Sequence, residues 1–182
     1  MCGSLAGAQD QDPSADASVQ LSSLFLHARD RLQSEQDVAF DQGDYPRVIA
    51  SLRLLAEARP RDEEIWSNLF WMLGNIEETG EAWAMMRVFA RNNAKYTDAR
   101  YHEAQLMYQR RAWAKVVPLL EPTLQADIPP KDSVTYRLLA QSYYRLGYYE
   151  DSIRVSRALL KRWPDDETAK ANIRKAEEKI GG

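Results

Sequence analysis

The sequence has little of what most enzyme and metal sites require. It contains one cysteine, Cys2, which cannot form an internal disulfide or a cysteine zinc site. Its two histidines, His27 and His102, lie in separate segments outside any metal-spaced or nucleophile–base pattern. No glycine-rich phosphate loop occurs in a strand–turn–helix setting. The sequence therefore predicts no enzyme, no catalytic residue, no metal site and no cofactor.

A surplus of positive charge and a long apolar run are also missing. The chain has 182 residues, with 24 Lys and Arg against 27 Asp and Glu, which gives a net charge of −3. Nucleic-acid binders and basic membrane patches concentrate Lys and Arg, so both classes are disfavoured. No apolar run approaches the roughly 18 residues of a spanning helix. We expect a protein partner, no nucleic acid and no membrane span.

The first segment, "MCGSLAGAQDQDPSADAS", is small, polar and unpatterned, so residues 1–17 are predicted to be disordered. Two export hypotheses compete with that one. Ala6, Gly7 and Ala8 resemble the end of a signal peptide, and Cys2 resembles the lipidated cysteine of a bacterial lipoprotein. Both need an upstream apolar segment that the sequence does not contain. The chain is thus cytoplasmic as written, and extracytoplasmic, periplasmic or lipid-anchored if a signal peptide is missing.

Helical patterning begins near residue 18 and repeats at a regular interval. Four turn segments, "QGDYPRV", "EETGEA", "RRAWAKV" and "LGYYEDS", align so that Tyr45, Thr79, Trp113 and Tyr149 share one position. These four residues are separated by 34, 34 and 36 residues. A helix–turn–helix period of about 34 residues is the signature of tetratricopeptide repeats.

The sequence resembles the tetratricopeptide family over four repeats, near 29–62, 63–96, 97–130 and 133–166. The last repeat carries the bulky, leucine, small and aromatic positions as Tyr136, Leu139, Ala140 and Tyr143. The second repeat departs at Phe70, where a small residue is usual, so its helix pair is expected to splay. The first helix of the first repeat matches poorly.

The resemblance implies an all-α fold, a right-handed superhelical α-solenoid of helix–turn–helix repeats. Residues 18–166 would hold about four repeats with an N-terminal helical extension. Residues 167–182 would form a capping helix and tail, because stacked repeats need a polar end.

Prolines and acidic residues predict the same repeat boundaries as the aligned turns do. Pro60, Pro129-Pro130 and Pro164 cannot continue a helix, and each precedes a capping acid, namely Asp62, Asp132 and Asp165. The acidic pairs Glu63-Glu64 and Asp166-Glu167 then fit helix starts rather than catalytic carboxylates. Pro118 and Pro122 fall inside a predicted helix, which is expected to be kinked or broken there.

In this family the first helices of successive repeats line a concave groove, so the resemblance implies a peptide-binding surface. This groove would be acidic at its N-terminal end, aromatic in the middle and basic at its C-terminal end. Trp71 and Tyr108 could instead pack against neighbouring repeats. The predicted groove residues are Asp37, Phe40, Asp41, Ser67, Trp71, Asn75, Tyr101, Gln105, Tyr108, Arg137, Gln141, Tyr144 and Arg145, with Lys175 extending the groove along the cap.

The stretch "YRLLAQSYYRLGYYEDS" holds five tyrosines with different expected roles. Tyr136 and Tyr143 are seven residues apart, nearly two helical turns, so they share a packing face. Tyr149 is expected to wedge between paired helices, and Tyr148 to be exposed. Only Tyr144 stays a candidate for binding.

These patterns favour a non-enzymatic adaptor or scaffold that holds a peptide or helix of a partner protein. The alternatives are a self-associating or envelope-complex assembly module, which would be a homo-oligomer or a lipoprotein, and a secretion-chaperone-like protein. A carboxylate clamp for chaperone tails is disfavoured, because Gln33, Asp37 and Asp98 replace its cations and amide, and only Asn68 fits.

Overall fold

The computed structural model describes residues 13–182, and within that range every regular element is helical. The helices are α1 (Pro13–Asp41), α2 (Tyr45–Ala58), α3 (Glu63–Asn75), α4 (Thr79–Asn92), α5 (Tyr101–Gln109), α6 (Trp113–Leu124), α7 (Ser133–Leu146), α8 (Tyr149–Leu160) and α9 (Glu167–Gly181), with a 3₁₀ turn at Thr97–Arg100 before α5. The all-α prediction and the C-terminal helix are confirmed.

The N-terminal boundary differs from the sequence prediction. Helix α1 begins at Pro13, so residues 13–17 are helical and not part of a disordered segment. Residues 1–17 are alike in composition, so composition alone does not mark the start of α1. The helix extends toward the N-terminus beyond its first large apolar residue, Val19. Cys2 and the signal-like Ala6–Ala8 lie outside the described residues.

The chain divides into two compact units, residues 1–57 and 58–182. In the first unit α1 and α2 form an antiparallel pair whose apolar core includes Ala39, Val48 and Leu52, all buried. The pair is also joined by an ion pair between Arg47 and Glu35 at 3.3 Å. Both side chains of this ion pair are partly exposed, so the apolar burial contributes more to stability.

The second unit stacks α3/α4, α5/α6 and α7/α8, with α9 against the last pair. Each fully buried leucine stabilises such a core by roughly 1.5–3 kcal/mol. The core of its C-terminal part is a single cluster from five successive helices: Ala104, Met107, Val116, Leu120, Tyr136, Leu139, Ala140, Tyr143, Val155, Leu159 and Ala169. The two small residues Ala104 and Ala140 occupy the positions at which the family pattern places close helix approach.

The turn inside each helix pair has the same construction. The second helices α2, α4, α6 and α8 begin at Tyr45, Thr79, Trp113 and Tyr149, the four aligned positions of the sequence repeat. Two residues before each of these, the backbone adopts a positive φ, at Gly43, Glu77, Arg111 and Gly147. A residue in this left-handed conformation ends a helix by letting the next amides bond back to its last carbonyls. The amide of Tyr148, for example, donates to the carbonyl of Tyr143 at 3.0 Å.

Aspartates cap the starts of α3 and α9 with side-chain hydrogen bonds, and the structure differs from the sequence prediction at α7 and α9. The Asp62 carboxylate accepts from the amide of Ile65 at 3.5 Å, as expected for α3. Helix α9 is capped by Asp166, which accepts from Ala169 at 2.9 Å, and not by Asp165. Asp132 occupies the N-cap position of α7 without a side-chain cap bond.

Helix α6 contains both of its prolines without a break, and this corrects the alternative of a broken helix. It is continuous from Trp113 to Leu124 around Pro118 and Pro122. Both prolines are exposed. Because they are four residues apart, they lie on one face, where water can bond the carbonyls that lose their intrahelical donors. The expected kink stays a prediction.

The positive-φ residues allow a direct test of the turn. All four residues have a positive φ, which residues with a Cβ avoid. Glu77 and Arg111 carry a Cβ and are strained there, whereas Gly43 and Gly147 have none. We expect Arg111→Gly to raise the free energy of unfolding by about 1 kcal/mol, because it relieves this strain. Thermal and urea unfolding followed by circular dichroism measure the change.

The matched control is Gly147→Ala. No atom lies within 4 Å of the Cβ that it would add, so its cost reports backbone strain without a steric clash. It should lower stability by about 1 kcal/mol. A loss of stability in Arg111→Gly would contradict the strained turn.

Candidate interaction surface

A cleft of about 620 Å³, called the first cleft, lies between α3, α4 and α5. Three of the predicted groove residues from α3, Ser67, Trp71 and Asn75, line it together with Gln105 from α5. Trp71 is 58% exposed. The remaining lining residues are Asn68, Phe70, Gly74, Thr79, Ala82, Met86, His102, Leu106 and Gln109.

His102 is the polar centre of the first cleft. Its Nε2 lies 3.2 Å from Ser67 Oγ and 3.5 Å from Glu63 Oε1. The other oxygen of Glu63 accepts a hydrogen bond from the Tyr96 hydroxyl at 2.7 Å. The imidazole also packs edge to face on Phe70, with 5.2 Å between ring centroids. This network joins α3 to α5 and orients the side chains at the base of the cleft.

The Ser67, His102 and Glu63 arrangement does not have the geometry of a catalytic triad. In a triad the hydroxyl bonds one imidazole nitrogen and the carboxylate bonds the other, so that the ring can relay a proton. Here both partners approach the same nitrogen, Nε2. The network can hold side chains in place, but it does not activate the serine by the triad mechanism.

Phe70 shows how the departure from the family pattern is accommodated. Its ring is buried and contacts Phe89, with 6.2 Å between centroids and an edge-to-face angle of 72°. Trp66 completes the cluster at 5.6 Å from Phe89. A large ring thus replaces the small residue and forms one wall of the first cleft. The expected splaying of this helix pair stays a prediction.

A second cleft of about 530 Å³ lies between α5, α7 and α9. The sequence predicted five of its residues, namely Tyr108, Gln141, Tyr144, Arg145 and Lys175. The sixth is Asn172, which lies three residues before Lys175 on α9. Tyr144 is half-buried and packs edge to face against Tyr149 at 5.4 Å. The two clefts share α5, because Gln105 and Gln109 line the first and Tyr108 lines the second.

Two of the groove residues predicted within residues 58–182, Arg137 and Tyr101, line neither cleft. The Arg137 guanidinium binds the Asp166 carboxylate at 2.9 Å through Nε, so it holds the start of α9 instead. Burial opposes ionisation of Asp166, but Arg137 and the amide of Ala169 outweigh it and hold the pKa of that carboxyl below its ordinary value. Tyr101 packs edge to face against His102 at 5.5 Å. Burial, followed by the charge of Asp132, raises the pKa of Tyr101.

The predicted residues of the first repeat lie in the other compact unit. Asp37, Phe40 and Asp41 are exposed on the last turns of α1. The Phe40 ring packs edge to face on Tyr45, 5.9 Å away. Their part in a binding surface stays a prediction.

The tyrosines of residues 136–149 divide as the helical spacing predicts. Tyr136 and Tyr143 are buried, and Tyr148 is 57% exposed. The Tyr143 hydroxyl donates to Glu121 at 2.8 Å. Burial and this hydrogen bond raise the pKa of Tyr143 to about 12.

Sequence reasoning missed His102, Gln109 and Asn172. Gln109 lies four residues after Gln105, and His102 lies three residues before Gln105. Helical spacing from Gln105 would therefore have found both. Asn172 precedes the predicted Lys175 by three residues on α9, so helical spacing from Lys175 would have found it as well.

No protein-family model matches this chain, and neither does any curated protein sequence. Several solved structures do match. A crystal structure of MamA protein is 16% identical, with a TM-score of 0.63, and the match covers 84% of this chain and 82% of that one. MamA from Desulfovibrio magneticus RS-1, residues 41 to the end, is 16% identical, with a TM-score of 0.57 and coverage of 84% and 91%. The fold is that of tetratricopeptide repeats.

A tetratricopeptide repeat protein from Parabacteroides merdae ATCC 43184 gives the same result. It is 16% identical with a TM-score of 0.57, and the match covers 84% of this chain and 59% of that chain. At these identities the likeness concerns the tetratricopeptide fold and not the partner. Within residues 13–182, no helix is both long and apolar enough to cross a membrane.

In this tetratricopeptide fold, His102 should make stability depend on pH. Burial lowers the pKa of His102, although Glu63 opposes the shift. The unfolded chain therefore takes up a proton more readily than the folded chain below pH about 6.5. We expect stability to fall as pH drops from about 6.5 toward the lower folded pKa, and His102→Gln to flatten that part of the profile. Urea unfolding across a pH series measures it.

The control for this pH series is His27→Gln, which changes the exposed histidine of α1 and should leave the profile as it is. An unchanged slope in the folded His102→Gln variant would show that other groups cause the acid sensitivity.

Proposed function

We propose that this chain is a non-enzymatic scaffold that binds a peptide or helix of a partner protein in the two clefts of residues 58–182. The observation that carries the proposal is that α3, α5 and α7, the first helices of successive pairs, line two clefts that share α5. Together the clefts offer a surface longer than either one alone, and this suits an elongated ligand.

The chemistry of the lining supports a peptide as the ligand. Trp71, Tyr108 and Tyr144 supply rigid aromatic surfaces, which are frequent binding anchors in protein interfaces. Gln105 and Asn75 supply amides that can donate to and accept from a peptide backbone. Apolar anchors surrounded by polar groups are the usual make-up of such an interface.

The comparisons support the scaffold part of this proposal. The solved structures that match include a protein described as a tetratricopeptide repeat protein, whose fold presents repeated helix faces. The clefts, rather than the fold, select the ligand, because side chains that line them can change without altering the core.

A triple variant tests the cleft assignment. We expect Trp71→Ala, Tyr108→Ala and Tyr144→Ala together to abolish capture of partner proteins in a pull-down, because truncating an aromatic anchor typically costs about 2 kcal/mol of binding free energy. Circular dichroism confirms that the variant is folded, and mass spectrometry compares the captured proteins.

The matched control is Tyr148→Ala, which removes a tyrosine that is exposed outside both clefts. It should capture the same partners as the wild type. Capture of the same partners by the folded triple variant would refute the assignment of the clefts.

A second candidate function is self-association of the chain through α1. Helix α1 is about twice as long as its partner α2, with 29 residues against 14. Leu21 is eighteen residues before Ala39, which is five turns at 3.6 residues per turn, so both lie on one stripe. Ala39 is fully buried, but Leu21 is 71% and Leu24 is 70% exposed. A second copy of α1 would cover this apolar continuation of the stripe.

Light scattering across a concentration series tests self-association. We expect a dimer at high concentration and a monomer for Leu21→Gln with Leu24→Gln, because the paired apolar surface is lost. The control Ile128→Gln changes a loop side chain of equal exposure and should leave the mass unchanged. A wild-type monomer at every concentration would rule out this function.

A further inference from the structure

The second cleft carries positive charge that no residue in the described part of the chain neutralises. Arg145 and Lys175 line it, and no carboxylate does. Among the residues that the structure describes, neither cation takes part in an ion pair. Arg137, eight residues earlier on the same helix, is by contrast bound to Asp166. The charge of the second cleft is therefore available to a ligand.

A buried donor in the same cleft also lacks an acceptor. The Asn172 side-chain nitrogen is buried, and no hydrogen-bond partner lies within reach. Buried polar atoms in folded proteins are nearly always paired, so an unpaired one indicates a missing partner. Because this nitrogen has almost no accessible surface, an acceptor oxygen in the cleft reaches it only if the Asn172 side chain rotates. The hydroxyls of Tyr108 and Tyr144 add two further groups that can donate to such an oxygen.

The two clefts differ sharply in charge. The first cleft is lined by apolar side chains, neutral polar side chains and His102, without Lys or Arg. A ligand that spans both clefts would therefore place apolar side chains against the first and an anionic group in the second. A peptide can supply both, since it carries its acidic and apolar side chains at separate positions. The net charge of −3 disfavours a polyphosphate backbone as the ligand.

We propose that the second cleft binds the carboxylate of an Asp or Glu side chain in the partner peptide, and so selects peptides with an acidic residue next to an apolar segment. Arg145 and Lys175 supply the charge, and the hydroxyls of Tyr108 and Tyr144 donate hydrogen bonds to a carboxylate oxygen. Charge-assisted hydrogen bonds of this kind are stronger than neutral ones. The proposal rests on the peptide-binding function above and adds which residue type the peptide must carry.

Selection from a random peptide library displayed on phage tests the proposal on the full chain. We expect the wild type to enrich peptides with Asp or Glu beside apolar residues. In fluorescence anisotropy, Arg145→Gln with Lys175→Gln should bind an enriched peptide about tenfold more weakly, and added salt should weaken the wild-type binding. Arg145→Glu with Lys175→Glu should enrich basic peptides instead.

The matched control is Lys115→Gln with Lys161→Gln. It removes the same number of positive charges from exposed positions that line neither cleft. It should bind the enriched peptide as tightly as the wild type, which separates the second cleft from the overall charge.

The outcomes distinguish this proposal from the one on which it rests. Enriched peptides that lack acidic residues, or that bind the double glutamine variant equally well, would overturn the carboxylate site and leave peptide binding in place. Failure of the wild type to enrich any peptide would overturn both. A single-stranded oligonucleotide that binds as tightly as the peptide, with the same dependence on Arg145 and Lys175, would replace the carboxylate by a phosphate.

Discussion

Each helix pair depends on one residue whose backbone enters the left-handed region. Gly43, Glu77, Arg111 and Gly147 reverse the chain, and the next helix begins two residues later in every case. Because the turn has a fixed length, the faces of the paired helices meet in the same register in each repeat. Within residues 58–182 the first helices α3, α5 and α7 then present corresponding positions, and these positions line the two clefts. Two of the four turns use residues with a Cβ, so the register is kept at a cost in backbone strain.

Polar contacts between distant residues join the two helices of a pair at the end away from its turn, and another joins successive pairs. The Asn93 amide donates to the carbonyl of Pro60 at 2.7 Å, and the Arg162 guanidinium donates to the carbonyl of Pro130. Both contacts connect the end of a second helix with the proline before its first helix. Asp98 is buried and accepts from the Thr135 hydroxyl at 2.6 Å, which ties the 3₁₀ turn to α7. A lysine in place of Asp98, as in a carboxylate clamp, could not accept the hydrogen bond from Thr135.

The sequence repeat predicts the helix pairs well, because each pair is one structural unit that recurs about every 34 residues. Tyr45, Thr79, Trp113 and Tyr149 begin the second helices, as the alignment implies. The left-handed conformation at Glu77 and Arg111 could not be predicted, since neither residue type favours it and the turn imposes it.

The choice of Asp166 over Asp165 as a cap could not be predicted either. The two carboxylates are chemically alike, and the structure distinguishes Asp166 by its hydrogen bond from the Ala169 amide and its ion pair with Arg137 on α7.

The candidate site is less predictable than the fold, because the contacts that decide it come from distant parts of the chain. Helical spacing identified Tyr144 as different from Tyr136 and Tyr143, because one residue along a helix rotates a side chain by about 100° away from the packing face. Spacing alone cannot say whether a cation on that helix is paired, because its partner comes from another part of the chain.

Arg137 and Arg145 show what the tertiary structure adds. They occupy one helix and have the same chemistry, but Asp166 faces the first, and Tyr144, Asn172 and Lys175 accompany the second in the cleft. The paired arginine contributes to the start of α9, whereas the unpaired one keeps its hydrogen-bonding capacity for a ligand. If the second cleft binds an acidic peptide as proposed, its specificity follows from which cations the described part of the fold leaves without a carboxylate, and this depends on contacts between repeats rather than on the repeat itself.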